Sequence, residues 1–522
     1  MSKTQTTSST FSFPLLTSIS QFIIRQKRQL TISTSYSLNH ESKHLEKGSL
    51  SVFHGIVLAT SAMAPALAVV LNAPAAGSKA GAALPLSFLL AFIACLFVGN
   101  TIIQFSRKLS SAGSFYTYNS YGFGSIGGFF TGWLLFIGYS IVTPALFTVF
   151  GSFIEDYIHK SFHTYIPWWI FSLIGLILVI ILSILGIKTS LPLDLTLLIV
   201  QIIVFIILST IIIIKAGNKN NLGVFSPLLS VNSFSGVGFG TVFGILSFIG
   251  FDAPATLGEE MCKPNRTIPM AIGGSLILVG LFYIFVCYSL SIGYELMDPI
   301  HLQIFMNDSN PFITLAREQG RWLEHIVSIC AVIGIFSCFL AIHNTSVRIL
   351  FSMGRDRILP HILSRVHQRW FSPYVAILIL SVFTLIVGLP IGMWLGPGVS
   401  GCYGFTSTIG ALAIIIVYMA SNISLICYTL RTKQFHWLWN GILPILGFLV
   451  LLYPLWSIGR PGQSYPYNIV PYVLLIWLFF GVILFLYFFF RSPEKLKAIG
   501  SMFDDNQRPQ TDQAQSVLST IE

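Results

Sequence analysis

The chain has 522 residues, 54% of them hydrophobic and only 9% charged, with 29 Lys and Arg against 19 Asp and Glu for a net charge of +10. So little charge cannot cover a soluble domain of this size, and apolar runs of about twenty residues suit membrane-spanning helices, not the roughly ten-residue alternating strands of a barrel. The positive balance then belongs to loops at one membrane face and not to a nucleic-acid site. The seven cysteines form no Cys-x-x-Cys pair and no His spacing suited to zinc, so no disulfide framework, metal or other cofactor is expected.

Residues 1–48 are rich in Ser and Thr. A semi-apolar patch from Phe11 to Ile24 precedes Arg25, Lys27 and Arg28, the reverse of the charge order in a secretory signal, so the stretch reads as a cytoplasmic tail. The first span begins near Ser51 and runs into Thr60-Ser61-Ala62-Met63-Ala64-Pro65, small residues closed by a proline in mid-membrane. Proline breaks the helix, and the helix restarting after it leaves its first N–H groups unpaired, with its positive end toward the break. Further spans are expected over 83–105, 126–152, 167–187, 191–214, 236–257, 269–293, 325–351, 373–393, 402–430, 437–457 and 469–490, twelve in all. The spacing Gly124-x-x-x-Gly128-x-x-x-Gly132 predicts close helix packing, as do Gly240 and Gly244. Asp194 lies near the start of the fifth span, where solvation is open to it.

The sixth span changes character within itself. It begins as an apolar helix, and then Gly250, Asp252 and Pro254 arrive within five residues. Irregular backbone at membrane depth is tolerated only where it is buried in protein or lines a wet cavity, so a break that also carries a carboxylate marks a candidate site. The plainer alternatives are a packing kink, and Asp252 as the N-terminal cap of the second half-helix. Phe248 and Phe251 are candidate walls. Glu259 and Glu260 follow at the mouth, either as a gate or as solvated acids pairing with Lys263 and Arg266. His343 reads as a proton carrier or as a hydrogen-bonded buried histidine. An even number of spans puts both termini on one side. Taking it as cytoplasmic places sixteen basic residues there against seven opposite, and makes 294–324 the largest outer loop.

The run GFDAPATLGEEMCKPNRTIPMAI at 250–272 resembles the signature closing the sixth span of the amino acid-polyamine-organocation superfamily of permeases. RKLSSAGSFYTY at 107–118 and NTSVR at 344–348 leading into GRDRILP at 354–360 are similar to two further motifs of that family. Ser110 stands where its proline is usual, and Ser61-Ala62-Met63-Ala64-Pro65 replaces its Gly-Ser-Gly. The resemblance implies an all-α polytopic membrane protein with twelve transmembrane helices: a five-plus-five inverted repeat with broken helices 1 and 6, and two helices added outside it. Spans one and six are five apart and so cross in opposite directions, as such a repeat requires, with substrate near the midplane between the breaks.

The resemblance further implies a secondary active transporter of amino acids in the cell membrane, working by alternating access. The substrate carboxylate would meet N–H groups around Thr60, Ser61, Ala62, Met63 and Ala64, and its ammonium the carbonyls near Ser247 to Gly250. Gln201 occupies the place in span five where sodium-independent relatives often carry a lysine. It cannot titrate, which leaves Asp252 as the carboxylate for a proton, with Asp194 and Glu259 as lesser coupling or gating candidates. Coupling by protons or exchange is expected. The domains would be a tail at 1–48, a transporter core at 49–430, spans eleven and twelve at 431–492, and a tail at 493–522. A polyamine or organic-cation exchanger, or a non-transporting sensor of the same fold, are the alternatives. No nucleophile–base pair or phosphate loop suggests an enzyme. The expected partners are a small amino acid or amine, protons and the lipid bilayer.

Overall fold

Within hydrocarbon every backbone N–H and C=O must be satisfied inside the segment that carries it, so an apolar chain of this kind folds as helices. The computed structural model describes residues 48–492 except 110–112, 232, 309, 399–400, 460–462 and 464, and gives no side-chain description for 187–189. The tails expected at either end (Gly48 apart), and Ser110, lie outside the described residues, which belong to one unit, His44–Glu522. Among them every regular element is helical, and the one β-type contact is an isolated parallel bridge between Leu50 and Met261.

Helix α1, Val52–Ala62, stops at Met63, and Ala64 adopts left-handed backbone with φ 50 and ψ 66. The helix restarts as α2, Pro65–Leu67, passes through a π-helical turn at Ala68–Asn72 and ends as α3, Ala73–Ala80. After α4, Leu84–Ser106, come α5, Phe115–Ser140, and α6, Val142–Phe162, separated by a single helical-backbone residue. Next are α7, Trp168–Ile184, and α8, Ile187–Ala216. Helix α9, Phe234–Phe248, halts at Ile249, and after the break a 3-10 turn covers Ala253–Leu257. Then follow α10, Pro264–Gly293, and α11 and α12, Pro299–Asn307 and Pro311–Gln319. The remaining helices are α13, Arg321–Arg355, α14, Tyr374–Leu395, α15, Cys402–Arg431, α16, Leu443–Gly459, and α17, Val470–Arg491. Among the described residues ten segments are long and apolar enough to cross a membrane. One is the 55-residue Val52–Ser106, and Trp168–Ile184 is a shorter apolar helix. The chain is a multi-pass, all-α membrane protein.

Several expectations change. The loop before span three is helical from Phe115, and Gly124 is where that helix turns into the span: its φ of 77 and ψ of −171 leave the helical region. No neighbour lies within 4 Å of the side-chain position at Gly124, so it supplies a bend and not a packing surface. Gly132 does pack, against Tyr116, while Gly240 and Gly244 let Ser87 and Ala91 of α4 approach α9. The outer loop at 294–324 contains α11 and α12. Further changes, at Asp194, Glu259 and Glu260, concern the site.

Around the breaks, α13 packs against α1, α6 and α8, and is buried almost continuously from Cys338 to Gly354. The last helix is fastened to α5 by a stacked tryptophan pair 4.4 Å between centroids. Trp133 Nε1 donates to the Trp477 carbonyl at 2.9 Å and Trp477 Nε1 to that of Trp133 at 3.0 Å.

Candidate binding site

The two breaks meet. Gly250 has φ 109, and a β-carbon there would lie 2.8 Å from Ala62 Cβ and 2.9 Å from its carbonyl carbon, so only glycine lets the backbone of the span-six break touch the end of α1. From α10 the Tyr283 hydroxyl bridges them, donating to the Met63 carbonyl at 2.7 Å and the Ser247 carbonyl at 3.1 Å. Asn72 Nδ2, on the restarted half of span one, donates to Ser247 Oγ at 3.0 Å. The sequence offered no signal for Tyr283, one tyrosine among 19.

The spare backbone groups differ from those expected. The N–H of Met63 bonds to the Ala59 carbonyl and that of Ala64 to Ser61, so neither is spare. Pro65 has no N–H, and helical bonding resumes with Ala68 donating to Ala64. Among the described residues the unpaired donors of the restarting helix are therefore those of Ala66 and Leu67, two and three residues beyond the predicted stretch. At the other break the Ser247 carbonyl is used by Tyr283, that of Phe248 by the Phe251 N–H and that of Gly250 by the Ala253 N–H. Ile249 retains the carbonyl that no other described residue's donor reaches.

Beside the breaks lies a cavity of about 380 Å³, in the range of small-molecule pockets. Ala62, Met63, Ala64, Ser247 and Ile249 line it at the breaks; Tyr139, Cys338, Tyr403 and Ile414 contribute from other helices. Its lining on span six comes from the half before the break, Phe239 to Ile249, and on span one mainly from the half after it. Thr60, Ser61, Gly250, Phe248 and Phe251 are buried outside this lining. Phe248 packs edge-on against Tyr283, and Phe251 packs tilted against Tyr418. The Thr60 hydroxyl has no hydrogen-bond partner among the described residues.

Asp252 is buried, and one carboxylate oxygen accepts hydroxyl bonds from Tyr139 of α5 and Tyr418 of α15, each at 2.6 Å. Its side chain makes no cap bond to the turn after it. Asp194 is not solvated: it is 2% exposed, accepts a hydrogen bond from Ser337 of α13 and lies beside Ser61. The helical bundle closes over the start of span five, which proximity to charged loops in sequence did not reveal. Two turns on, Gln201 packs against Gly334 near Ala66, with both amide atoms buried and unpartnered among the described residues. His343 is fully buried, its ring nitrogens near Ser381 and Ser183, and is not in the cavity lining.

The opposite half of the breaks is sealed by charge. Glu260 receives Arg348 in a bidentate pair, Nε to Oε1 at 2.9 Å and Nη2 to Oε2 at 3.1 Å. Glu259 receives Arg355 likewise, at 3.0 and 2.7 Å. The acids therefore do not pair with neighbouring Lys263 and Arg266; they reach across to α13, whose two arginines stand two turns apart. Ser49 and Leu50 donate to the Glu260 carbonyl, and Cys262 to that of Leu50, stitching the start of span one to the exit of span six.

The family described as amino acid permease matches residues 50–497. The chain is 24% identical over 326 residues to the branched-chain amino acid permease BcaP of Bacillus subtilis (strain 168), covering 59% of this chain and 68% of that protein. It is 26% identical to the methylthioribose transporter of the same organism, over 65% of this chain and 74% of the relative. It is 27% identical to cationic amino acid transporter 4 of Mus musculus, over 65% of this chain and 55% of that protein. These are transporters and not enzymes. The chain belongs to the amino acid permease family, within the amino acid-polyamine-organocation superfamily.

Proposed function

We propose that this protein is a secondary active transporter of amino acids across the cell membrane, with the substrate held between the two breaks and exposed to one side at a time. What carries the reading is the single contact of Gly250 with Ala62: two half-helices abut back to back, with a cavity on one side and a double ion-pair seal on the other. The N–H groups of Ala66 and Leu67 suit a carboxylate and the Ile249 carbonyl an ammonium group. Counting Val52–Ser106 as two spans about the turn Gly81–Ala83, and including Trp168–Ile184, gives twelve. The proposed domains remain the tails at 1–48 and 493–522, the core at 49–430 and spans eleven and twelve at 431–492. With both termini and the Glu259–Arg355 end cytoplasmic, this conformation faces outward. Radiolabelled uptake in proteoliposomes tests the reading, and accumulation of no amino acid, with or without internal substrate, defeats it.

For coupling, Asp252 is the proton carrier of this reading. Tyr139 both lines the cavity and donates to its carboxylate, which links the site to the titrating group. Asp252→Asn should abolish the pH dependence of uptake while sparing exchange, and transport should need no sodium. A pH profile lost in Asp194→Asn instead would move the carrier to the contact of spans one, five and eight.

A further inference from the structure

We propose that the transported amino acid bears an uncharged, apolar side chain of aliphatic or thioether type; this rests on the amino acid reading above. Relatives named for branched-chain and for cationic amino acids match this chain at similar identity, so likeness does not decide between them. The cavity does. None of the described residues lining it is charged. Val142, Leu146, Phe243, Leu246, Ile342 and Ile414 supply aliphatic and aromatic surface from four spans.

The polar residues among the lining carry no charge, and three of its hydroxyls are turned to their own helices. Ser247 Oγ donates to the Phe243 carbonyl at 2.8 Å, Thr408 Oγ1 to the Gly404 carbonyl at 2.6 Å, and Ser407 Oγ to the Tyr403 carbonyl. Their hydroxyl protons are spent on their own helices, and what they offer the cavity is carbon and an uncharged oxygen, that of Ser247 already accepting from Asn72. The two nearby carboxylates are withdrawn: Asp252 lies behind Tyr139 and Tyr418, and Asp194 is bonded to Ser337 outside the lining. A lysine or arginine side chain would leave water without a counter-charge to meet it, and a glutamate without a donor cation. An apolar side chain loses only its hydration, and each further methylene gains contact, so leucine, isoleucine and methionine should exceed alanine.

The test is competition for uptake by the full chain in proteoliposomes, with thermal shift of the same protein in detergent as a second readout. Leucine or methionine should stabilise the protein and compete, and lysine, arginine and glutamate should do so at least about tenfold more weakly. Lysine, arginine or glutamate competing within about threefold of leucine would overturn the inference while leaving amino acid transport intact. If no amino acid is accumulated or bound, the transport reading falls and this one with it. Placing a carboxylate in the lining by Ala411→Asp, or one turn away by Thr408→Asp should the first not fold, should admit lysine at the expense of leucine. A folded variant whose preference does not move would also overturn the assignment.

Discussion

At Gly250 the backbone conformation and the neighbour act together. Any side chain meets a φ of 109 and the Ala62 backbone at about 3 Å, so even Gly250→Ala should destabilise the protein by roughly 1–3 kcal/mol and abolish substrate-induced stabilisation. Thermal unfolding with and without leucine measures both, and a variant with wild-type response would show that the breaks need not touch. The glycine was legible in the sequence because Gly, Asp and Pro crowd an apolar run. Its contact was not, since Ala62 is 188 residues away and alanine carries no signal. Asp356, just past the end of α13, is a residue of the second kind. Burial, with the nearby Glu259 charge, pushes its carboxyl up to about 6 from an ordinary 3.8, although the Tyr116 hydroxyl bond at 2.6 Å and the Arg355 charge oppose the shift. The folded state therefore holds this proton more tightly than the unfolded one. Its stabilising effect is complete below pH 3.8 and is lost as pH rises to about 6. Comparing unfolding of wild type and Asp356→Asn across pH 4 to 7 should show the wild type falling relative to the variant by on the order of 2–3 kcal/mol, then running parallel. A constant difference throughout would mean the group titrates normally.

Among elements, the two breaks depend on helices that never break. Tyr283 stands in the middle of α10, and its ring packs against Phe88 and Phe248 while its hydroxyl serves a carbonyl on each broken span. Tyr283→Phe keeps the ring and strands two buried acceptors, so it should cost about 1–3 kcal/mol and weaken substrate affinity; a neutral result in thermal shift and uptake would make the bridge incidental. The seal works through α13 in the same way. Arg348 and Glu260 are both nearly inaccessible, so deleting either charge leaves the other buried and unpaired, a loss of about 3–5 kcal/mol that the double variant should largely recover. That cycle, measured by unfolding, separates a coupled seal from two independent surface acids, for which the losses would be small and additive. Helices and breaks could be read from composition because each is written in consecutive residues. The arginine partners could not, because they lie 88 and 96 positions away, and charge patterning along one segment favoured the wrong neighbours.

For the molecule as a whole, alternating access requires that what is open on one side of Gly250 and Ala62 be closed on the other. The present conformation has the cavity on the side of α3 and α9 and the stitched seam, Leu50 beside Met261, on the side of Glu259. Cys262 lies in that seam, exposed, with its thiol on the Gly48 carbonyl at 2.6 Å. Cys338 lines the cavity and the other four cysteines are buried away from it, so a Cys338→Ser, Cys427→Ser background leaves Cys262 as the accessible thiol among the described residues. With both termini inside, a membrane-impermeant maleimide should label it in inside-out vesicles and not in right-side-out ones; the opposite pattern would invert the topology. On the proposed alternating-access reading the seam parts when the protein turns inward, so Glu260→Gln should raise the labelling rate several-fold. A reporter at Thr408→Cys, on the cavity side, should slow under the same change and be shielded by substrate. Because one rearrangement governs both faces, the two rates must move in opposite directions. Rates that rise together would describe a loosened bundle and not a transporter exchanging one open side for the other.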